Sequence, residues 1–408
     1  MDRRLLALLL AFLLGLPGAY AAQFSASQVT VFASPDGSYG PLAEFIHGSG
    51  ESLYLHAYTF ESPAIAGELV RAKGRGVEVV VSVDKAPVGG ISREEKAVIG
   101  SLLRAGVPVY YSGPNGTRFN HAKYAVADNR TVLVTTENMG PDGFPQEGTG
   151  NRGWGAVFAS PGAGAYLADL FQRDLGAREL AHGDAGPEVQ RPRGRYRPSF
   201  APEVFLGNYT LETLVAPDDA VNVTLALLRS ANRSVYIEQF YIYKYWGPKR
   251  GGSVGSTPNL FLEEAIGAAR RGVDVRILMD STWYNVELED PQSNRHTMDY
   301  INGIGRGEGL RLEARLADLK SMGVEKVHTK GAIVDDRAVL VSSVNWNEHS
   351  PTKNREVGVI IYGAPAEYYT KVFLCDWDGA CGIKVPWLLV LLALLVLAIA
   401  ILHRRRVR

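Results

Sequence analysis

Leu5 to Leu16 and Val385 to Leu402 are unbroken apolar runs, whereas between them hydrophobic and polar positions alternate with the periods of strands and helices. Arg3 and Arg4 precede the first run and Gly18-Ala19-Tyr20-Ala21 follows it, so residues 1–21 have the layout of a secretory signal peptide; an uncleaved amino-terminal anchor is the alternative reading. Val385 to Leu402 carries no charge, and eighteen helical residues reach about 27 Å, enough to cross a hydrocarbon core. Arg404, Arg405, Arg406 and Arg408 follow directly, which predicts a single-pass transmembrane helix over 385–402 and a cytoplasmic tail over 403–408. The body of the chain is then expected outside the cell, attached to the cell membrane.

The body repeats itself. Val31-Phe32-Ala33-Ser34-Pro35-Asp36 returns as Thr213-Leu214-Val215-Ala216-Pro217-Asp218, and Ser52-Leu53-Tyr54-Leu55 returns as Ser234-Val235-Tyr236-Ile237, both at an offset of 182. Arg75-Gly76-Val77 matches Arg271-Gly272-Val273 at 196, and His121-Ala122-Lys123 matches His328-Thr329-Lys330 at 207, so the second copy has gained residues twice. Within a copy the pattern predicts a strand over Ser52 to Phe60, a helix over Pro63 to Gly74, a buried strand over Val77 to Val83, and a hairpin of Lys123 to Val126 with Thr131 to Val134 around Asp128-Asn129-Arg130. This is an α/β layout with two similar halves, 22–180 and 203–383. Residues 181–202, with four prolines and four arginines, read as a linker.

At 408 residues, 46% hydrophobic, the chain can bury a large core, which excludes a disordered or disulfide-stapled scaffold. Ala22 to Ile383 holds 36 basic and 42 acidic residues, so the body does not bind polyanions merely by being basic. Cys375 and Cys381, the two cysteines, are expected to form a disulfide, and sequons at Asn115, Asn129, Asn208, Asn222 and Asn232 suit an exported glycoprotein.

The chemistry lies in a duplicated constellation. His121, Lys123 and Asp128 are followed after six residues by Thr135-Thr136-Glu137-Asn138; His328, Lys330 and Asp335 are followed at the same distance by Ser342-Ser343-Val344-Asn345. Alternate residues of a strand share a face, so each His projects with its Lys, and two such strands about a pseudo-twofold axis would place two imidazoles between two ammonium groups. A phosphodiester held there would have its charge met by Lys123 and Lys330 and by amide donors on Asn138 and Asn345. One imidazole would attack phosphorus and the other would protonate the departing oxygen, with no metal or other cofactor required.

These motifs resemble the duplicated motifs of the phospholipase D superfamily over nearly all of Gln28 to Gly363. The carboxyl copy matches best, through His328, Lys330, Asp335, Ser343, Asn345-Trp346, Ser350 and Asn354-Arg355-Glu356, where the family has a glutamate tied to the histidine network. The resemblance implies two α/β/α sandwich domains packed as one unit, a phosphohistidine intermediate, and water or an alcohol as acceptor, with the amino copy, hence His121, supplying the nucleophile. Two departures stand out. Thr135-Thr136 and Ser342-Ser343 replace the family's Gly-Ser, and Asn151-Arg152-Gly153 replaces Asn354-Arg355-Glu356, so the amino half is expected to lack a partner glutamate.

The segment Tyr241 to Gly252 interleaves aromatic and basic side chains and contains Tyr243, Tyr245 and Trp246. It reads as a lip dipping into lipid, as a platform for nucleic acid bases, or as a packed loop; as a lip or platform these three residues, with Thr136, would bind substrate. His47, His56, His182, His296, His349 and His403 have no repeat partner and read as structural. The expected activity is hydrolysis or transphosphatidylation of phospholipids at the outer cell surface. The alternatives are a metal-independent nuclease acting on single-stranded nucleic acid and, in a different class, a binding protein on an inactive scaffold.

Overall fold

A computed structural model describes residues 21–112, 116–184, 186 and 194–379. The expected signal peptide, the expected membrane span and Cys381 lie outside the described residues, apart from Ala21; among the described residues no helix is long and apolar enough to cross a membrane.

The first half runs β1 (Gln23–Ser34), α1 (Tyr39–His47), β2 (Ser52–Ala57), α2 (Pro63–Gly74), β3 (Glu78–Asp84), α3 (Arg93–Arg104), β4 (Val109–Ser112), β5 (Tyr124–Ala127), β6 (Thr131–Thr135), β7 (Gly153–Ala159), α4 (Pro161–Asp174) and β8 (Glu179–Leu180). The second runs β9 (Glu203–Ala216), α5 (Ala220–Arg229), β10 (Ser234–Gln239), α6 (Leu260–Arg270), β11 (Asp274–Met279), α7 (Asn294–Glu308), β12 (Leu312–Leu316), α8 (Leu319–Met322), β13 (Lys330–Val334), β14 (Ala338–Ser342), α9 (His349–Lys353), β15 (Glu356–Tyr362) and α10 (Pro365–Trp377). Serine and asparagine caps start the helices: Ser62 accepts from Ile65 N with Pro63 behind it, Ser160 from Ala163 N with Pro161 behind it, and Asn259 from Phe261 N and Leu262 N. The repeated Arg-Gly-Val closes α2 and α6, because Gly76 (φ +94°) and Gly272 (φ +95°) take a left-handed turn that a side chain would strain.

Among the described residues fifteen strands form one sheet, ordered β12-β11-β10-β13-β14-β15-β9-β1-β7-β6-β5-β2-β3-β4-β8. The two halves are therefore not separate sandwiches laid against each other. Antiparallel pairing of β1 with β9, Gln23 opposite Glu212 through Val31 opposite Glu203, joins them edge to edge. Strand alternation then divides the core. Leu53 and Leu55 of β2 face α1, α2 and α3, and Val235 and Ile237 of β10 face α5 and α6, while Tyr54 and Tyr236 turn to the opposite face. There α4 and α10 both cover the sheet, each against β1, and one cluster with Phe171, Tyr368, Tyr369, Phe373 and Trp377 serves both halves. Each half is thus layered α/β/α around a common middle.

The buried Arg152 and the partly buried Arg355 reinforce the junction with the same pseudo-twofold logic. Arg152 donates to Asp36 at the end of β1 and, at 3.1 Å, to Asp376 on α10 of the other half. Arg355 donates at 3.0 Å to Asp218 after β9 and lies 3.1 Å from Asp174 on α4 of the first half. The described part of the linker also docks: Tyr196 Oη donates to Asp36 at 3.0 Å and Phe200 N donates to the same carboxylate.

Candidate active site

Neither histidine sits within a strand as the pattern suggested. His121 and Lys123 lead into β5, and His328 stands two residues before Lys330, the first residue of β13. Each approach segment is instead pinned to the opposite half: His121 N donates to Arg355 O at 2.8 Å, and His328 N donates to Arg152 O at 2.7 Å. Beneath each, an aspartate holds the preceding residue, Asp84 accepting from Asn120 N at 2.6 Å and Asp280 accepting from Val327 N at 2.8 Å. These crossed contacts bring the two imidazoles into one site, where each stands in the electrostatic field of the other half's lysine.

The carboxylates are exchanged between the halves. His121 Nδ1 donates to Glu356 Oε2 at 2.8 Å; Glu356 is fully buried and also accepts from Ser350 Oγ and, at 3.0 Å, from Asn354 Nδ2. Opposite, Glu137 Oε1 lies 3.3 Å from His328 Nδ1 and Glu137 Oε2 accepts from Asn151 Nδ2 at 3.0 Å. The amino half therefore does not lack a partner glutamate: Glu137, in the bend just after the neighbouring strand β6, takes the place of the absent one. Gly153, at the position of Glu356, makes this possible, because a Cβ there would stand 2.2 Å from Glu137 Oε1. Glu137 with Gly153 and Val344 with Glu356 are two solutions of one packing problem, each delivering a single carboxylate to the histidine of the other half.

The two pairs differ in quality. The His121–Glu356 bond is short and well directed. At 3.3 Å the Glu137–His328 contact fits an ion pair, but it lacks hydrogen-bond alignment and both atoms stay without a hydrogen-bonding partner. Burial lowers the His121 pKa to about 4, Glu356 pulling the other way. Burial alone would raise Glu356, but His121 and Lys123 hold it below the usual carboxylate range. Burial pushes Glu137 up and, together with Lys330, Lys326 and Lys123, pushes His328 far down. Lys123 and Lys330 are both fully buried, with Nζ donating at 2.6 Å to the carbonyls of His121 and His328. Desolvation brings Lys123 down to about 8, and desolvation with repulsion from Lys123 brings Lys330 far down. A bound anion would relieve both strains.

Aromatic rings wall the site, and the sequence reading did not single them out. Tyr58 meets the His121 ring at 4.5 Å and Phe240 meets the His328 ring at 4.9 Å, edge to face. They are related by the same offset of 182 that aligned β2 with β10, which is the signal that could have found them. Asn138 and Asn345 keep Oδ1 buried without a hydrogen-bonding partner.

Several expected site residues have other duties. Asp128 and Asp335 take positive φ in the hairpin turns, and their carboxylates accept from the backbone N–H groups of Gly50, Glu51 and Ser52 and of Asn232, Arg233 and Ser234. They clip each hairpin to the loop before β2 or β10 and take no part in chemistry. Thr136 Oγ1 accepts from Trp154 N and Ser343 Oγ from Val357 N, so both hydroxyls are used inside the sheet rather than on substrate or catalysis. Tyr245 and Trp246 are buried, Tyr245 Oη bonding Lys249 O and Trp246 packing on Phe261, so neither binds substrate. Tyr243 stacks on Tyr241 at 5.2 Å and is half-buried. The segment is a packed loop.

A family model described as cardiolipin synthase, PLD-like domain matches residues 42–175 and 224–377, one match per half. The chain belongs to the phospholipase D superfamily. Among curated relatives, the 5'-3' exonuclease PLD3 of Rattus norvegicus is 27% identical over 244 residues, 56% of this chain and 44% of that protein. The phospholipase D of Rickettsia bellii (strain RML369-C) is 29% identical over 119 residues, 29% of this chain and 56% of that protein. The chain thus spans about half the length of the curated relatives it matches. In fold it is similar to the phosphatidylserine synthase of Haemophilus influenzae Rd KW20, with a TM-score of 0.58 at 14% identity, over 88% of this chain and 87% of that one.

Proposed function

We propose that this phospholipase D superfamily member hydrolyses phosphodiesters through a phosphohistidine on His121, with His328 as acid and then base. The carrying observation is the unequal pairing of the histidines. Glu356 fixes the His121 proton on Nδ1 and leaves Nε2 as a nucleophile, and the low proton affinity of His121 keeps it neutral at ordinary pH. Attack forms the N–P bond as the P–O bond to the departing alcohol breaks, and His328, whose proton affinity burial and the lysines lower in the empty site and the negative charge of the bound diester restores, gives that oxygen its proton. Water then attacks phosphorus, loses a proton to His328, and releases His121. Lys123 and Lys330 meet the charge on the phosphoryl oxygens, which is the electrostatic work a metal would otherwise do.

The substrate class this geometry favours is single-stranded nucleic acid rather than phospholipid. In the segment that would have formed a lipid lip Tyr245 and Trp246 are buried, whereas a cation stands over a ring beside each histidine's aromatic neighbour: Arg118 lies 5.3 Å above Phe119, which packs on Tyr58, and Lys326 lies 5.9 Å above Phe240. A chain of phosphates can engage them in succession, and a lone headgroup diester cannot. The phospholipid reading keeps one support, the exposed Val88 and Leu288 on loops after β3 and β11. Purified protein given labelled single-stranded DNA and, separately, labelled phospholipid vesicles should cleave the DNA, and His121→Ala should not; choline or ethanolamine release from vesicles with intact DNA would reverse the assignment.

We further propose that the enzyme works outside the cell, held by the apolar segment 385–402. The support is the order of signal, body, apolar run and arginine cluster in the sequence. Protease added to intact cells should shed the catalytic body; protection until lysis would invert the topology.

A further inference from the structure

The loop after β11 carries an apolar surface that the mechanism above does not use. Trp283 is 74% exposed and Tyr284 41% exposed, whereas the other large aromatic side chains among the described residues are mostly covered. Trp283 meets Tyr284 at 5.4 Å, Tyr284 meets Phe240 at 6.3 Å, and Phe240 meets His328 at 4.9 Å. The rings form a stair from solvent to the histidine that protonates the leaving group.

The stair is held in place rather than dangling. The buried Asp280 carboxylate accepts from Thr282 N at 2.9 Å and Asn285 Nδ2 at 2.9 Å, which fixes the turn bearing Trp283. Its other oxygen accepts from Val327 N, the residue before His328, so one side chain ties the turn to the catalytic segment. The first half has the same device, Asp84 holding Ala86 N and Asn120 N, yet its loop from Lys85 to Gly90 has no aromatic residue. On the His121 side the rings end at the half-buried Phe119, which meets Tyr58 at 6.1 Å, so an exposed aromatic pair exists on the His328 side only.

We propose that Trp283 and Tyr284 form a stacking subsite for the base on the departing side of the scissile phosphate. This rests on the reading of the enzyme as a phosphodiesterase with His328 as the acid. With His121 attacking in line, the departing alcohol lies against His328, and its base meets Tyr284 and Trp283. A planar uncharged base suits this surface better than a membrane does, because Glu287 and Glu289 flank the exposed Leu288 on the same loop and repel anionic head groups. A subsite on one side only makes the enzyme sensitive to the base on the departing nucleotide and indifferent to the base on the retained one.

Dinucleotides in which one base or the other is replaced by an abasic sugar test this with the full-length protein, the departing nucleoside being the one released in the first-turnover burst. Losing the departing base should lower kcat/KM about tenfold, equivalent to about 1.4 kcal/mol and within the range for one stacked base, while losing the retained base should change it less than about twofold. Trp283→Ala should erase the difference without lowering Tm, since the side chain is mostly in solvent. A binding measurement separates this from the assigned chemistry: in His121→Ala protein the intact dinucleotide should quench tryptophan fluorescence, and adding Trp283→Phe should remove the quench even if no diester is ever turned over. An unchanged abasic penalty in Trp283→Ala, or loss of vesicle binding in that variant with base sensitivity intact, would overturn the subsite and assign the tip to a membrane.

Discussion

Exchanging Glu356 for Gln and Glu137 for Gln removes the two carboxylates at nearly constant volume, and the structure predicts unequal results. The His121–Glu356 bond is 2.8 Å long, lies in a fully buried pocket and involves an ionised acceptor. A hydrogen bond to a charged group contributes about 1.5–3 kcal/mol, so Glu356→Gln should slow formation of the covalent intermediate by about 10- to 150-fold. Glu137 approaches His328 at 3.3 Å without hydrogen-bond alignment and acts on the acid rather than the nucleophile. Its loss should cost less than about tenfold in the same step with an ordinary alkoxide leaving group. With a 4-nitrophenyl phosphodiester, whose leaving group needs little protonation, the Glu137→Gln defect should nearly vanish while the Glu356→Gln defect persists. Rapid-quench single-turnover kinetics on both substrates gives the four rates. A larger burst-phase loss in Glu137→Gln than in Glu356→Gln, on either substrate, would refute the reasoning and exchange the duties of the two histidines.

Gly153→Ala should push the Glu137 carboxylate away from His328, because the added Cβ overlaps its carboxylate end and a flexible side chain yields more cheaply than the backbone; single-turnover rates should fall by no more than in Glu137→Gln, less than about tenfold with ordinary leaving groups and little with 4-nitrophenyl esters. Asp128→Ala and Asp335→Ala should lower stability by about 1–3 kcal/mol each in urea titrations while the folded fraction keeps near-normal kcat, since three backbone donors lose their acceptor in each case. Burial alone would raise Asp128, but the Ser52, Gly50 and Glu51 amides hold it below its ordinary value, so its contribution is complete above the unfolded value near pH 4 and is lost as pH falls through the lower folded one. Lys123 titrates near 8 because it is desolvated, so it is charged below that value and KM for a diester should rise above about pH 8, an effect that steady-state kinetics from pH 6 to 10 would register.

The strands, the Arg-Gly-Val helix ends and the duplicated His-x-Lys were legible in the sequence because each is set by local periodicity, a glycine turn or an in-register repeat. What crosses between the halves was not. No local pattern states that Glu356 serves His121, or that Arg152 reaches Asp376, since both depend on β1 pairing with β9 and on the two approach segments lying against opposite halves. Glu137 was visible as a lone acid facing Val344 in the aligned motifs, yet its role needed the space left by Gly153. The motif aspartates were placed in the chemistry by their spacing, which reflects instead the geometry of a turn that takes two positive φ values. The aromatic segment from Tyr241 to Gly252 had the composition of a binding surface, but Tyr245 and Trp246 bury against α6 and the Lys249 turn, while the exposed tryptophan lies elsewhere, on the loop after β11.

The central claim is that one site, assembled from both halves, carries its covalent intermediate on His121. Acid-free rapid quench of the enzyme with a radiolabelled phosphodiester, followed by proteolysis under alkaline conditions that preserve phosphohistidine, locates that adduct by mass spectrometry. The account predicts a phosphoryl group on the peptide containing His121, its yield raised in His328→Ala with a 4-nitrophenyl leaving group because the water-attack step then lacks its base. An adduct on His328, or full single-turnover hydrolysis in His121→Ala, would contradict it.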